Sequence, residues 1–179
     1  AKKEVGKFAE ITFKMHNKTK DLINESDNKK RNKLIKKITK YEDITDRLET
    51  EIANYLGNVS AAKLSVESSS ELRSMLSITN DLERIGDIYF QIAKSIEKKA
   101  ENKLWFDQKQ RDNLNDILDE VEVAFNLMQS NLDGKYADVD MDKARTLENA
   151  INEIRNKIRK KHLKSMEKKE YNAQSGLIY

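Results

Sequence analysis

The sequence predicts an all-α protein, and three observations carry that prediction. Its 179 residues include no proline and only five glycines, too few turn formers for a sheet protein that must reverse direction about every ten residues. Ala, Glu, Leu, Lys and Arg supply 79 of the 179 residues and 36% of the chain is charged, the composition of long amphipathic helices. Apolar residues return in alternating steps of four and three, the spacing of antiparallel helices packed at a shallow angle.

The elements follow in order. A first helix is expected over about Lys3 to Asn24, with Val5, Phe8, Met15 and Leu22 near one face, and Ser26-Asp27-Asn28 interrupts it. A second is expected from Lys29 to Leu56, stopped by Gly57 at the position after its last turn. Its inward stripe reads Leu34, Ile38, Tyr41, Thr45, Leu48, Ile52, Tyr55 and Val59. Ser65 caps a third helix that runs to about Ala100, with an inward stripe of Leu72, Met75, Thr79, Leu82, Gly86, Tyr89, Ala93 and Ile96. Leu104-Trp105-Phe106 is a linker, with Trp105 expected to plug the junction it spans. Asp107 and Gln110 form a capping box that opens a fourth helix, ending at Asp133-Gly134. Asp140 caps a fifth, Met141 to about Lys168, whose stripe is Ala144, Leu147, Ile151, Ile154 and Ile158. A sixth begins at Asn172.

Composition excludes several chemistries. With no cysteine there are no disulfides, thiolate zinc sites, iron–sulfur clusters or cysteine nucleophiles. Only His16 and His162 are present, and neither is preceded by a glutamate three residues earlier, so the di-iron pattern of ferritin-like bundles is absent. The net charge of +3 comes from 34 basic and 31 acidic groups that interleave, a solvated surface rather than a nucleic-acid footprint. Lys29 to Lys37 and Arg155 to Lys164 are basic tracts that read as solvated helical faces, or as faces for anionic headgroups if the parent is a membrane protein. No apolar run is long enough to span a membrane, and the fragment itself is expected to be soluble. The chain starts without Met and ends on Gly176-Leu177-Ile178-Tyr179, which reads as a piece of a larger protein.

The candidate chemistry lies on the second and third helices. Glu42 and Asp46, and likewise Glu83 and Asp87, are pairs at i and i+4, and each acid follows a stripe residue: Tyr41, Thr45, Leu82 and Gly86. The shared offset predicts that all four meet between neighbouring helices. Such carboxylates repel, and a multivalent cation relieves the repulsion; oxygen ligands suit Mg²⁺, Ca²⁺ or Mn²⁺, and carboxylates also hold iron. The plain alternative is a solvated acid row paired with Lys and Arg. Gly86, inside a helix, implies either close approach of another helix or ion cluster, or simply a tolerated small residue.

Asn80-Asp81-Leu82-Glu83-Arg84-Ile85-Gly86-Asp87 resembles the signature of the PhoU family of phosphate-transport regulators, and Glu42-x-x-x-Asp46 matches its partner motif. The resemblance implies PhoU-like tandem three-helix bundles, here 1–103 and 104–179, with the second repeat truncated in its last helix. Glu148 and Asn152 fall at the same offset from the fifth helix's stripe, with Asn152 departing from the acidic pattern. The Leu104-Trp105-Phe106-Asp107 linker and the ending from Tyr171 to Tyr179 are similar to the PhoU-like C-terminal domain of bacterial sodium–phosphate cotransporters. That likeness implies a metal site at Glu42, Asp46, Glu83 and Asp87 holding an iron or zinc cluster, other divalent cations staying open. It also implies a regulatory, non-enzymatic domain on the cytoplasmic side of the inner membrane, whose partner is a membrane-embedded phosphate transporter in the same parent chain. Nucleic acid is not an expected partner. Two other classes remain: a structural or signalling bundle with no ligand, and a hydrolase using the carboxylates, which lacks a nucleophile motif, an anion cradle or a placed histidine. With the sixth helix short, the apolar faces of the fourth and fifth are expected to be covered by a second copy, giving a homodimer, or by a swapped helix; alternatively, they lean onto the first repeat.

Overall fold

A computed structural model describes residues 2–60, 65–134, 138–171 and 173–179. It contains six helices: α1 Lys2–Asn24, α2 Asn28–Ser60, α3 Val66–Glu101, α4 Gln108–Asp133, α5 Met141–Glu167 and α6 Ala173–Ile178. No strand occurs among the described residues, and none of the helices is long and apolar enough to cross a membrane. The protein is an all-α helical bundle. Three of the expected caps form as written. Ser65 and Asp140 accept backbone N–H groups of Ser68 and Lys143, and Asp107 with Gln110 closes the capping box reciprocally.

Gly57 does not stop α2. The helix continues through Ser60, and a Cβ at Gly57 would meet nothing within 4 Å. A glycine ends a helix when the chain turns into the left-handed region, and here it does not. The third helix ends instead in a Schellman turn built on Lys103 at φ 55°, with the Leu104 N–H bonded to the Lys99 carbonyl.

α1 packs against α2, α3 and α4. It therefore buries two adjacent stripes, including Phe8, Thr12, Met15, His16 and Thr19, all at 0% exposure. On α3 the expected stripe is buried from Leu72 to Ile96, with Met75 half-buried. The stripe on α2 is turned from the expected one. Arg31, Ile35, Ile38, Thr45, Ile52 and Leu56 are buried, Leu34, Tyr41, Leu48 and Val59 flank them, and Tyr55 is exposed. Both stripes obey the four–three spacing and share Ile38, Thr45 and Ile52. Contact with α1 and α3 on two sides selects between them.

α4 leans onto the first three helices. Leu118 and Phe125 join the core of Met15, Leu22, Ile38 and Tyr89, and Lys20 of α1 bridges to Asp119 and to Glu122 at 3.0 Å. α5 packs on α4 and buries no residue fully among those described; Leu147, Ile151 and Ile158 stay half-exposed. Between α3 and α5 runs a groove of about 570 Å³ lined by apolar side chains including Ile78, Met128 and Ile151. So α4 closes onto the first three helices within one chain, whereas the inner face of α5 remains open. The short α6 seats against α3 and α5, with Ser175 and Gly176 buried.

Trp105 does not plug the junction. It is 49% exposed and lies over the Arg31 guanidinium, whose carbon is 4.4 Å from the ring centroid. Its neighbour Phe106 turns inward onto the core and meets Tyr179 edge-on.

Candidate metal centre

The site is set by how closely α2 and α3 approach. Gly86 faces Thr45, and a Cβ there would sit 3.2 Å from the Thr45 hydroxyl oxygen and 3.7 Å from the Met15 sulfur. That contact admits a side chain only if Thr45 gives way, so of the two readings of Gly86 the close approach of a helix is the one observed. Thr45 is itself 1% exposed, and its hydroxyl donates to the Glu42 carbonyl at 2.8 Å. The hydroxyl that faces Gly86 is thus satisfied within its own helix and needs no partner on α3.

One residue further along each helix the side chains emerge from this seam. Glu42 and Asp46 come from α2 and Asp87 from α3, and carboxylate oxygens of the three lie within 4.8 Å of one another. Glu83 stands one turn before Asp87 on α3, near enough for the Asp87 charge to act on it. Of the four carboxylates anticipated from the shared offset, Glu42, Asp46 and Asp87 converge between α2 and α3, while Glu83 lies outside that group of three.

Their electrostatics are those of like charges held together. The Glu42 carboxyl is pushed above its ordinary value, first by partial burial and then by Asp46, Asp43 and Asp87. Glu83 is pushed up for the same reasons, burial first, then Asp87 and Glu49. Among the described residues no Lys, Arg or His forms an ion pair with any of the four. Arg84, between Glu83 and Asp87 in sequence, points away and lies 4.0 Å from Asp81 on the exposed side. An acid row left without neighbouring cations, with half-buried Glu42 and Asp87, is a donor set for a hard, oxygen-seeking cation.

Glu49 is the acid that sequence reasoning passed over. It lies seven residues after Glu42, is half-buried, and acts on Glu83. The signal was present, since Glu49 follows the stripe residue Leu48 at the same offset as Glu42 and Asp46, but it has no acidic partner four residues away and so fell outside the paired pattern. The corresponding positions of the fifth helix behave differently. Glu148 and Asn152 line the apolar groove, and among the described residues they join no group of three converging ligands.

A family model described as PhoU domain matches residues 5–96, which include all four carboxylates, all of α2 and most of α1 and α3. Neither a curated protein nor a solved structure matches the chain.

Proposed function

The chain belongs to the PhoU domain family, and from that premise we propose that it is the PhoU-like regulatory domain of a sodium-dependent phosphate transporter. PhoU domains regulate phosphate transport and are not catalytic. In the finer reading, the domain works on the cytoplasmic side of the inner membrane by contact with a membrane-embedded transporter of the same parent chain. Its two units, 1–103 and 104–179, are tandem repeats, and a second copy could pair with it. The acid cluster of the first unit holds a metal cluster, iron or zinc by family likeness.

The observation that carries the metal part is the convergence of Glu42, Asp46 and Asp87 across two helices, with no cation paired to them among the described residues. When bound, a metal there would neutralise the row and pin α2 to α3, and the carboxylates would supply its oxygen ligands. The chain's own part is to hold those oxygens at fixed spacing through the Thr45–Gly86 contact.

The test has two arms. Metal analysis of protein purified without chelator should find stoichiometric metal that Asp87→Ala abolishes, with circular dichroism showing unchanged helix content. Metal-free protein would remove the cluster from the proposal. For regulation, radiolabelled phosphate uptake by cells carrying the parent transporter should change when Glu42 and Asp87 are replaced by alanine. Unchanged uptake in a stably expressed variant would favour a purely structural bundle.

A further inference from the structure

We propose that the cavity beneath the Leu104–Phe106 linker is a binding site for a dianionic oxyanion, with the phosphate group as the chemistry that fits it. It lies at the end of the bundle where the α1–α2 turn, the C-terminus of α3, the start of α4 and α6 come together. The cavity is about 380 Å³, near the lower end of ligand sites at about 300–1,000 Å³. Its walls include Arg31, Lys99 and Arg111, the rings of Trp105 and Phe106, and Glu25.

Two of these cations are buried without an ion-pair partner among the described residues. Arg31 is 5% exposed and Lys99 is 2% exposed. One Arg31 terminal nitrogen donates to Asn28, while the other, Nη1, is buried with no acceptor. The Lys99 ammonium donates to Ser175 Oγ at 2.9 Å and stands 3.5 Å from the Phe106 ring centroid. Burial draws its pKa down to about 8, against the opposing pull of Asp107. The nearby acids bring negative charge but form no ion pair with Arg31 or Lys99. Glu25 accepts the Asp27 N–H at 2.8 Å, and Asp107 accepts the Gln110 N–H at 2.8 Å in the α4 cap. Arg111 spends two nitrogens on the Phe106 carbonyl and on Gln108, each at 2.8 Å.

Aromatic faces offset part of the burial of Arg31 and Lys99. They supply no oxygen for Nη1 and no balancing charge. A ligand with two negative charges and several oxygens supplies both, and guanidinium with ammonium is the pairing that grips phosphate. Entry requires the outer wall to yield. That wall includes Trp105, which is half-exposed and lies over Arg31. Because Lys99 also holds Ser175, and Ser175 donates to the Trp105 carbonyl at 3.0 Å, occupancy would reach the seat of α6.

Trp105 is the only tryptophan in the chain, so its emission reports on this cavity alone. The whole chain is titrated with sodium phosphate at pH 7.5, ionic strength held constant with chloride, beside parallel titrations with glycerol phosphate, sulfate and acetate. The expected result is a saturable change in emission with phosphate, shared by sulfate and at least tenfold weaker with acetate. Whichever of free phosphate and its ester binds more tightly is the source favoured, and tight binding of either supports the site. Arg31→Gln and Lys99→Met should each weaken binding at least tenfold, with unchanged circular dichroism. If a variant fails to fold, the wild-type arms decide together with the melting temperature, which should rise with phosphate and not with chloride. A linear, non-saturating response, equal responses to acetate and phosphate, or folded variants that bind like the wild type would overturn the proposal.

Discussion

The first three helices and the last three have the same kind of sequence and reach different degrees of closure. α1, α2 and α3 contact one another pairwise and bury long stripes. α5 rests on α4, touches α6 at one end and makes no contact with α3, so its apolar stripe stays half-exposed. The difference is not hydrophobicity of the stripe, since Ala144, Leu147, Ile151, Ile154 and Ile158 are as apolar as Leu72, Leu82 and Ala93. It lies in the number of neighbours. A helix buries its stripe only when partners flank it on two sides, and α5 has one long partner. The two acid rows follow suit. Where α2 and α3 close on each other, Glu42 and Asp46 meet Asp87; on α5, Glu148 and Asn152 have no partner helix to bring them ligands.

The sharpest break of this comparison is a matched pair of core deletions. Phe8, at 0% exposure, lies in the closed unit, and Phe8→Ala should destabilise by about 3–5 kcal/mol in urea unfolding. Leu147→Ala on the open face of α5 should lose less than about 1 kcal/mol, because most of the transfer free energy was never gained. Equal losses would mean that α5 is as well covered in solution as α1. Hydrogen exchange should agree, with α5 amides opening before those of α3.

A second prediction concerns pH and the joint between the closed unit and α4. His16 is fully buried, bonds Tyr89 of α3 at 2.8 Å through Nδ1, packs on Phe125 of α4, and has no partner for Nε2. Burial pulls its pKa below 6.5; Glu122 and Asp119 of α4 oppose that, and Lys20 adds to it. The unfolded chain therefore takes up a proton that the folded one refuses. Stability is full above 6.5 and falls as pH drops through 6.5 toward the lowered folded value, by at most about 1.4 kcal/mol per pH unit. Glu42 and Glu83, both raised, act in the opposite sense as they protonate, so the test is the difference in melting temperature between wild type and His16→Gln from pH 7.5 to 5. A constant difference across that range would remove His16 as the titrating group.

Two glycines of mid-helix sequence make the third comparison. Gly86→Ala gains roughly 1 kcal/mol in helix propensity but meets Thr45 at 3.2 Å, and overpacking of about 1–3 kcal/mol should leave a net loss on the order of 1 kcal/mol. It should also weaken metal uptake by spreading α2 from α3. Gly57→Ala meets nothing within 4 Å and should stabilise by about 0.5–1 kcal/mol. Thermal unfolding of the two variants should therefore move in opposite directions.

The smallest effect is at the end of α3. Lys103 holds φ 55°, where a side chain is strained, so Lys103→Gly should add up to about 1 kcal/mol to thermal stability. No gain would mean that the turn relaxes without cost.

Much of this was legible in the residues. The caps at Ser65, Asp107 and Asp140 are short-range chemistry, decided within four residues, and they form as read. The α3 stripe was unambiguous because Gly86 and Ala93 leave only one face able to pack closely. On α2 two stripes satisfied the same spacing, so Arg31 was read as one more solvated charge, although it lies buried under Trp105. The offset of Glu42, Asp46, Glu83 and Asp87 from their stripes was readable, while Glu49, at the same offset after Leu48, was passed over because it stands three and seven residues from the paired acids rather than four.

By itself the sequence determined the six helices, their caps and the acids placed beside the seams, because periodicity and capping are local and each helix carries its own instructions. The tertiary structure alone decided which face of α2 turns inward, that Gly57 is passed without a stop, and that Trp105 lies outside while Phe106 goes in. It also decided that Arg31 and Lys99, 68 residues apart, end at one cavity without an ion-pair partner among the described residues. Those outcomes depend on which helices flank which. Such packing is settled by the sum of many distant contacts, and no window of the chain contains it.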